Sequence, residues 1–225
     1  MLSLDYISPF STLLPLLVFL PFLFKKKELP LKVIFFYNAY SFINDFTIIY
    51  RSDHGLKVSV FLYIFTVIEY IFFSFLLYHL IKSTIVKKAI LICSLLFIVF
   101  CLYNIVDKPI RVFDSVQASI ESILVLAYCI IYFYEQLNQP QISFIYTKYT
   151  FWLITGLLVY LSGTFFLYAF AVNLPDQTRI NFWVINLICT ILKNLFFTIA
   201  ILIYININKK PPQKPVEPTY QPFLN

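Results

Sequence analysis

The feature that most constrains this chain is a lysine inside a long apolar run. Residues 182–207 are apolar over most of their length, and Lys193 stands near their centre. About 20 such residues are enough for a helix to cross the hydrocarbon core of a bilayer. Because an ammonium at that depth is costly, it faces the protein interior, where other polar groups compensate its charge. The run therefore predicts a membrane helix bundle with a polar centre.

The composition agrees with a membrane protein. The chain is 60% hydrophobic and 20% aromatic, and only 12% of its residues are charged. Such a chain has too few polar residues to cover a water-soluble surface, so the lipid bilayer is its predicted partner. The net charge of +6 comes from lysines at the ends of apolar runs. This distribution is typical of membrane topology and lacks the usual signs of nucleic-acid binding.

Seven apolar segments predict an all-α polytopic membrane protein, a bundle of seven transmembrane helices. The predicted helices are 4–24, 31–50, 58–81, 89–106, 115–134, 151–172 and 182–207, within a transmembrane domain of residues 1–208. Lysines cluster after the first, third and seventh segments and before the sixth. Because lysines favour cytoplasmic connections, we expect the N-terminus outside and the C-terminus in the cytoplasm.

The C-terminal segment, 209–225, is rich in proline and has no apolar periodicity. We expect it to be a disordered cytoplasmic tail with polyproline-II stretches. An ordinary solvated tail and a docking peptide for a cytoplasmic or membrane protein partner are the two interpretations of this segment.

Helical spacing places polar residues on one face of several segments, since residues three, four or seven apart share a face. The fifth segment has Asp114, Gln117, Glu121 and Tyr128 in this register. The seventh has Asn186, Thr190 and Lys193, with Asn194 just beside it. Comparable stripes occur on the other helices: Asn38, Ser41 and Asp45; Ser59, Tyr63, Thr66, Glu69 and Tyr70; Ser94, Cys101 and Asn104; Gly156, Tyr160 and Gly163. These stripes predict a polar bundle centre.

The depth of these groups predicts a ligand site in the outer half of the bundle. Glu69 and Lys193 lie near the middle of their segments, whereas Glu121 is about 9 Å below the outer end of its helix. We expect Lys193, Glu121 and Glu69 to line the site. The remaining predicted ligand-binding residues are Asp45, Asn104 and Gln117 above them, and Tyr160 closing the site from the sixth helix.

Several chemistries do not fit the sequence. His54 and His79 are too distant from each other to build the zinc site of a seven-helix hydrolase. No serine–histidine pair suggests an intramembrane protease, and no glycine-rich phosphate cradle is present. We therefore expect no enzymatic activity, no metal and no cofactor.

Lys193 on the seventh helix and Glu69 on the third invite comparison with retinal proteins, in which a lysine forms a Schiff base and an acid is its counterion. Trp152 and Trp183, however, stand near helix ends, where interfacial tryptophans are common, and not at mid-depth beside a polyene. A photoreceptor is a minor alternative.

The fifth and sixth segments carry the patterns FDSVQASIESILVLAYCIIYFYEQL and YTFWLITGLLVYLSGTFFLYAF. With Glu121, Phe151, Trp152, Tyr160 and the pair at 162–163, they resemble a group of small seven-helix membrane proteins of Bacteroidetes-type bacteria. The resemblance implies a location in the bacterial inner membrane and supplies no activity.

Three hypotheses for the function follow. The first is a non-enzymatic membrane protein that binds a small molecule or lipid in its outer half and signals to a partner on the cytoplasmic side. The second is a small proton-coupled transporter that uses the same acids. The third is a structural or assembly subunit in which the charges only fix helix packing.

Overall fold

The fold was described from a computed structural model, which covers residues 7–24, 28–107, 115–138, 144–170 and 176–209. The described part of the chain is all-helical and contains seven α-helices and two short 3-10 turns. The α-helices are α1 (Ile7–Phe19), α2 (Leu29–Asp53), α3 (Ser59–Leu80), α4 (Thr84–Asp107), α5 (Ser115–Leu137), α6 (Tyr149–Phe170) and α7 (Asp176–Lys209). The 3-10 turns are Leu20–Phe22 and Ile145–Thr147.

Five of these helices, α3 to α7, are long and apolar enough to cross a membrane. The expected all-helical membrane protein is thereby confirmed at this coarser level. Among the described residues, the apolar helical stretch Ile7–Phe22 is shorter than these five. Helix α2 is long, but Asn38, Asn44 and Asp45 lower its apolar character.

The helix ends differ most from the sequence prediction in α1, α4 and α7. The first helix, predicted over 4–24, tightens into the 3-10 turn at Pro21, because proline cannot continue the α-helical hydrogen bonds. Helix α4 begins at Thr84, before Lys87 and Lys88, and α7 extends from Asp176 to Lys209. Lys87 and Lys88 can lie within α4 because their long stems let the charge reach the interface. The extension of α7 at its start consists mostly of polar residues, 176–181, which continue the helix beyond its apolar run. The predicted tail, 209–225, lies outside the described residues except for Lys209.

Six helices close a ring, and the seventh lies outside it. In order around the ring, the neighbours are α1, α2, α3, α5, α6 and α7, and α7 packs back on α1. Helix α4 packs on the outside of this ring, mainly against α3 and α5, and is the least buried of the five long apolar helices. Its outward residues are large and apolar, as expected of a surface that faces lipid.

Five helix ends meet at what we call the lysine-rich end of the bundle, defined by Lys82, Lys87, Lys88 and Lys148. There the Glu135 carboxylate at the end of α5 accepts hydrogen bonds from the backbone N–H of Lys82, at 2.8 Å, and of Ser83, at 3.0 Å. The Tyr149 hydroxyl at the start of α6 donates to Glu28, before α2, at 3.1 Å. These contacts place the end of α5 beside the α3–α4 turn, and the start of α6 beside the start of α2.

Glycine allows α6 and α7 to approach closely. A Cβ on Gly156 would lie 2.9 Å from Cβ of Phe196 and 3.3 Å from the backbone oxygen of Lys193. A Cβ on Gly163 would overlap the Sγ of Cys189, while the Cβ of Cys189 would remain at an ordinary 3.6 Å. The two glycines therefore set the distance between the helices, and Gly156 does so at the turn that carries Lys193.

We predict that Gly163→Ala destabilises the bundle by about 1–3 kcal/mol, because the added methyl overpacks the contact with the Cys189 sulfur. Thermal unfolding of the purified protein in mild detergent measures the loss. Adding Cys189→Ala to Gly163→Ala removes the sulfur and should restore most of the stability. Ser162→Ala, at an exposed neighbouring position, is the control; an equal loss in this control would contradict the prediction.

Candidate functional site

The centre of the ring is occupied by the side chain of Lys193, which is 1% exposed. Helix α7 presents it on the same face as Thr190, Asn194 and Phe197, all of which are buried. This face follows the spacing of three and four residues that the sequence shows. The predicted inward stripe of the last helix is buried at Thr190 and Lys193, and its first member, Asn186, is half-buried. The ammonium thus lies inside the protein and not against lipid.

Tyr37 of α2 links Lys193 to Glu69 of α3. The ammonium donates a hydrogen bond to the Tyr37 hydroxyl, and this hydroxyl donates to Glu69 Oε1 at 2.6 Å. Lys193 Nζ also lies 3.8 Å from the same carboxylate oxygen, within salt-bridge distance. All three side chains are buried. The phenol accepts a hydrogen bond from the cation and donates one to the anion. It therefore compensates both charges at a buried position where neither is hydrated.

Tyr160 of α6 closes the cluster from the other side. Its hydroxyl donates to Glu69 Oε2 at 3.4 Å, and its ring lies with the centroid 4.0 Å from Lys193 Nζ. The Tyr37 ring lies 4.7 Å from the same nitrogen. Ring faces carry partial negative charge and attract a cation, most strongly when water is excluded. The Lys193 cluster, defined as Lys193, Glu69, Tyr37 and Tyr160, therefore joins four helices.

Helix α1 is tied to the cluster through the next residue of α7. The Asn194 side-chain nitrogen donates to the Ser11 hydroxyl at 2.7 Å, and that hydroxyl donates to the Ser8 carbonyl, also at 2.7 Å. Asn194 is fully buried. A movement of α7 at Lys193 would therefore be transmitted to α1 through this hydrogen bond.

Glu121 and Gln117 of α5 form a second polar site next to this cluster. Both are buried, at 3% and 1% exposure, and they stand one helical turn apart. Gln117 Nε2 donates to the Tyr63 carbonyl of α3 at 3.3 Å. In contrast, Glu121 Oε1 and Gln117 Oε1 are buried oxygens without a hydrogen-bond partner in the described part of the chain. Glu121 interacts electrostatically with Glu69 and Lys193.

Two predicted site residues lie further from the cluster. Asp45 is half-buried on α2 and interacts electrostatically with Lys193 and Glu69. Among the described residues, no hydrogen bond or ion pair joins it to either of them. The buried face of α2 is centred on Tyr37, Ser41 and Asn44, and Asp45 stands one residue off that face. Asn104 is half-buried on α4, outside the ring, and takes no part in the hydrogen bonds of the Lys193 cluster.

A surface groove lies on the half of α2 that contains Asp45, but it is not the polar site that the sequence predicts. Its lining is formed by Phe42, Ile43, Phe46, Thr47 and Tyr50. Ile43 and Tyr50 are more than half exposed, so the groove is an apolar, open feature of the outer surface of α2. The polar groups of the bundle centre lie behind it.

Sequence reasoning did not select Tyr37, which holds the central position. A signal was present, since Tyr37 precedes Ser41 by four residues and Asn44 by seven, on one helical face. The residue was overlooked because tyrosine counts as apolar in a hydrophobic pattern, while its hydroxyl can bridge two charges. A search for hydroxyl groups in register with buried amides would have found it.

The cluster has the contacts of a charge-stabilising centre. Among the described residues, no group of three or more histidine, cysteine or acidic side chains is placed to hold a metal ion. Lys193 has a carboxylate, a phenol oxygen and two ring faces around its nitrogen. Such an arrangement holds a cation in place, links four helices, and responds to any further charge placed near Glu121.

We predict that Tyr37→Phe costs about 1–3 kcal/mol of stability, because it removes the hydroxyl that bridges two buried charges. Thermal unfolding in detergent measures the loss. Tyr50→Phe, at a position that is 61% exposed, is the matched control and should change little. Equal stability of the Tyr37→Phe variant and the wild type would contradict the bridging role.

We also predict strong coupling between Lys193 and Glu69. Lys193→Met and Glu69→Gln should each cost about 3–5 kcal/mol, because each leaves an uncompensated buried charge. The double variant should cost much less than the sum, since no charge of the pair then remains. A double-mutant cycle of unfolding free energies measures this coupling; additive losses would show that the two residues do not act as a pair.

A comparison with models of known protein families, with curated proteins and with solved structures found no match. The resemblance of the fifth and sixth segments to small bacterial seven-helix proteins therefore stays a prediction, and the function is argued from the geometry of the site.

Proposed function

We propose that this chain is a non-enzymatic, seven-helix membrane protein that binds a small ligand beside Glu121 and transmits its occupancy through Lys193. In this proposal α1 and α2 complete the bundle with the five long apolar helices. The N-terminus lies outside and the lysine-rich end faces the cytoplasm of a bacterial inner membrane, as the lysine distribution favours. A partner at the cytoplasmic face receives the signal.

The observation that carries the proposal is the pair of buried acceptor oxygens on Glu121 and Gln117. Buried polar atoms are nearly always hydrogen-bonded, and leaving one unpaired costs about 1–3 kcal/mol. Two acceptors one turn apart, both on the side of α5 that packs against α3, define a place where a donor group would be held. A site that recognises a hydroxyl, an amine or a cation is built in this way.

The balance of charge favours a ligand that carries positive charge or several donors. Lys193 interacts with three carboxyl groups, those of Glu69, Asp45 and Glu121. Glu69 is the one within ion-pair distance. A protonated amine or a donor-rich headgroup near Glu121 would pair with a carboxyl group that lies outside the Lys193–Glu69 ion pair. Anionic ligands are disfavoured at this position for the same reason.

Occupancy can reach the rest of the bundle because Glu121 and Glu69 share Lys193. Once a ligand compensates Glu121, the pull of that carboxyl on the ammonium falls and the contact with Glu69 and Tyr37 strengthens. Lys193 is part of α7, which packs on both α6 and α1. A small displacement of α7 would therefore be carried to the lysine-rich end, where α6 begins and α7 finishes.

A small proton-coupled transporter is the second candidate, and the excess of acids favours it. Two buried carboxyl groups and one half-buried carboxyl group interact electrostatically with a single buried ammonium. Carboxyl groups inside membrane proteins commonly mark proton relays. In this alternative, Asp45 would exchange protons with the nearer membrane face and pass them toward Glu69. Uptake into proteoliposomes that follows an imposed pH gradient would favour this candidate over a receptor.

We predict that gently solubilised wild-type protein retains a stoichiometric small molecule or lipid in native mass spectrometry, and that Glu121→Gln lowers the retained fraction at least tenfold. The substitution keeps the shape of the side chain and removes the ionisable carboxyl group that would pair with the ligand. Asp53→Asn makes the same chemical change at an exposed residue and should retain the bound mass.

Provided that the variant folds, Lys193→Met should still retain the molecule bound at Glu121. It should alter the signal that reaches the partner at the cytoplasmic face. Equal retention in the wild type and in Glu121→Gln would contradict the assignment of the site. A bare protein mass in all variants, with a wild-type phenotype in Glu121→Gln, would instead support a structural subunit whose charges only fix helix packing.

A further inference from the structure

The lysine-rich end contains a pair of cations that the Lys193 cluster does not involve. Lys148, immediately before α6, is half-buried, and Lys82, in the turn between α3 and α4, is exposed. Both are positioned by the last turn of α5. The Glu135 carboxylate accepts a hydrogen bond from the backbone N–H of Lys82 at 2.8 Å. The neighbouring Gln136 accepts a hydrogen bond from Lys148 Nζ at 2.9 Å. The end of α5 thus contacts both the backbone of Lys82 and the ammonium of Lys148, and these two charges interact.

The nearest carboxylate does not neutralise this pair. Each oxygen of Glu135 accepts a backbone N–H, from Lys82 and Ser83, at the start of α4. Within the described ranges no ion pair joins Glu135 to either lysine ammonium. Partial burial, together with the nearby Lys82 charge, lowers the pKa of Lys148 from its usual value. The two cations repel each other, and the Glu135 carboxylate beside them is already hydrogen-bonded to backbone N–H groups. An anion between the cations would therefore be held favourably.

Exposed apolar side chains close in sequence to the pair and to Gln136 indicate the kind of anion. Ile85 stands three residues after Lys82, Leu137 directly follows Gln136, and Phe144 stands four residues before Lys148. They are 80%, 73% and 58% exposed, respectively. Trp152 is close by, with its indole N–H donating to the Tyr146 carbonyl at 2.9 Å. Exposed aliphatic groups beside cations and a tryptophan are typical of the level where headgroups meet acyl chains. A free anion would gain nothing from these apolar groups, whereas a lipid would cover them.

We propose that Lys82 and Lys148 bind the phosphate of an anionic phospholipid headgroup at the end of α5, with its acyl chains along Ile85, Leu137 and Phe144. Gln136 holds Lys148 in position for this contact. The site is independent of the ligand site near Glu121, and it would persist if Lys193 had only a structural role. Its ligand class is an anionic phosphodiester with two acyl chains, for which phosphatidylglycerol is a suitable probe.

The test compares lipid binding to the full chain in mild detergent by native mass spectrometry, with dioleoyl phosphatidylglycerol and dioleoyl phosphatidylcholine as probes. We expect the wild type to retain phosphatidylglycerol preferentially. Lys82→Gln should weaken this retention about fivefold and Lys82→Gln/Lys148→Gln about 25-fold, at roughly 1 kcal/mol for each lysine near an anionic headgroup. Lys82→Arg keeps the charge and should keep the lipid.

Lys57→Gln is the matched control, because Lys57 is exposed in the loop between α2 and α3, at the opposite end. An equal loss in this control would overturn the site in favour of general attraction by net charge. Lys148→Gln also removes a hydrogen bond and can lower stability, so Lys82→Gln, whose side chain is exposed, decides the outcome if that variant unfolds.

Inorganic phosphate provides the remaining arm of the test. The thermal stability of the wild type should rise with phosphatidylglycerol and stay unchanged with equal concentrations of phosphate. Equal stabilisation by phosphate would assign the pair to a free anion and overturn the lipid assignment. Equal retention of phosphatidylcholine would show that the acyl chains alone carry the binding, and this outcome would overturn it as well.

Discussion

The burial of one ammonium determines how the centre of this bundle is built. Removing a charge of this kind from water costs several kcal/mol even after relaxation, and lipid offers no group to compensate it. Lys193 therefore needs partners from several helices at once, and Tyr37, Glu69 and Tyr160 supply them from α2, α3 and α6. The glycine at position 156 brings α6 near the backbone of Lys193. The order of the helices around the centre and the close approach of α6 to α7 thus both allow the buried charge of Lys193 to be compensated.

The polar interior has a satisfied part and an unsatisfied part, and the difference suggests where function resides. In the Lys193 cluster, the cation and the anion both have close partners, as a structural contact requires. At Glu121 and Gln117, two buried oxygens have no donor among the described residues. Single buried atoms of Asn38, Asn44, Ser74 and Asn194 also lack a partner there, but Glu121 and Gln117 are the pair that stands one helical turn apart. Since an unpaired buried acceptor weakens the fold, its presence is easier to explain by a ligand or a proton than by stability. The lysine pair beside Glu135 and Gln136 is a separate feature at the lysine-rich end of the bundle.

Most of the fold could be predicted from the sequence, because lipid restricts a chain to few solutions. Apolar length predicted the helices at 58–81 and 115–134 to within a few residues of α3 and α5. Helical spacing correctly assigned Glu69, Glu121 and Lys193 to buried faces. The boundaries of α1 and α4 were less predictable. Proline tightens the end of α1, and lysine stems let α4 begin earlier than its apolar run.

What the sequence by itself determined is that the chain is helical and that a lysine and two glutamates must lie inside it, since both follow from the cost of exposing polar groups to lipid. Only the tertiary structure decided which groups meet. It joined Tyr37 to Lys193 across most of the chain, left Asn104 on a helix outside the ring, and separated Glu121 from the closed cluster. Periodicity gives the direction of a side chain from its own helix axis. The neighbour that it meets depends on how helices pack, which short-range sequence patterns do not encode.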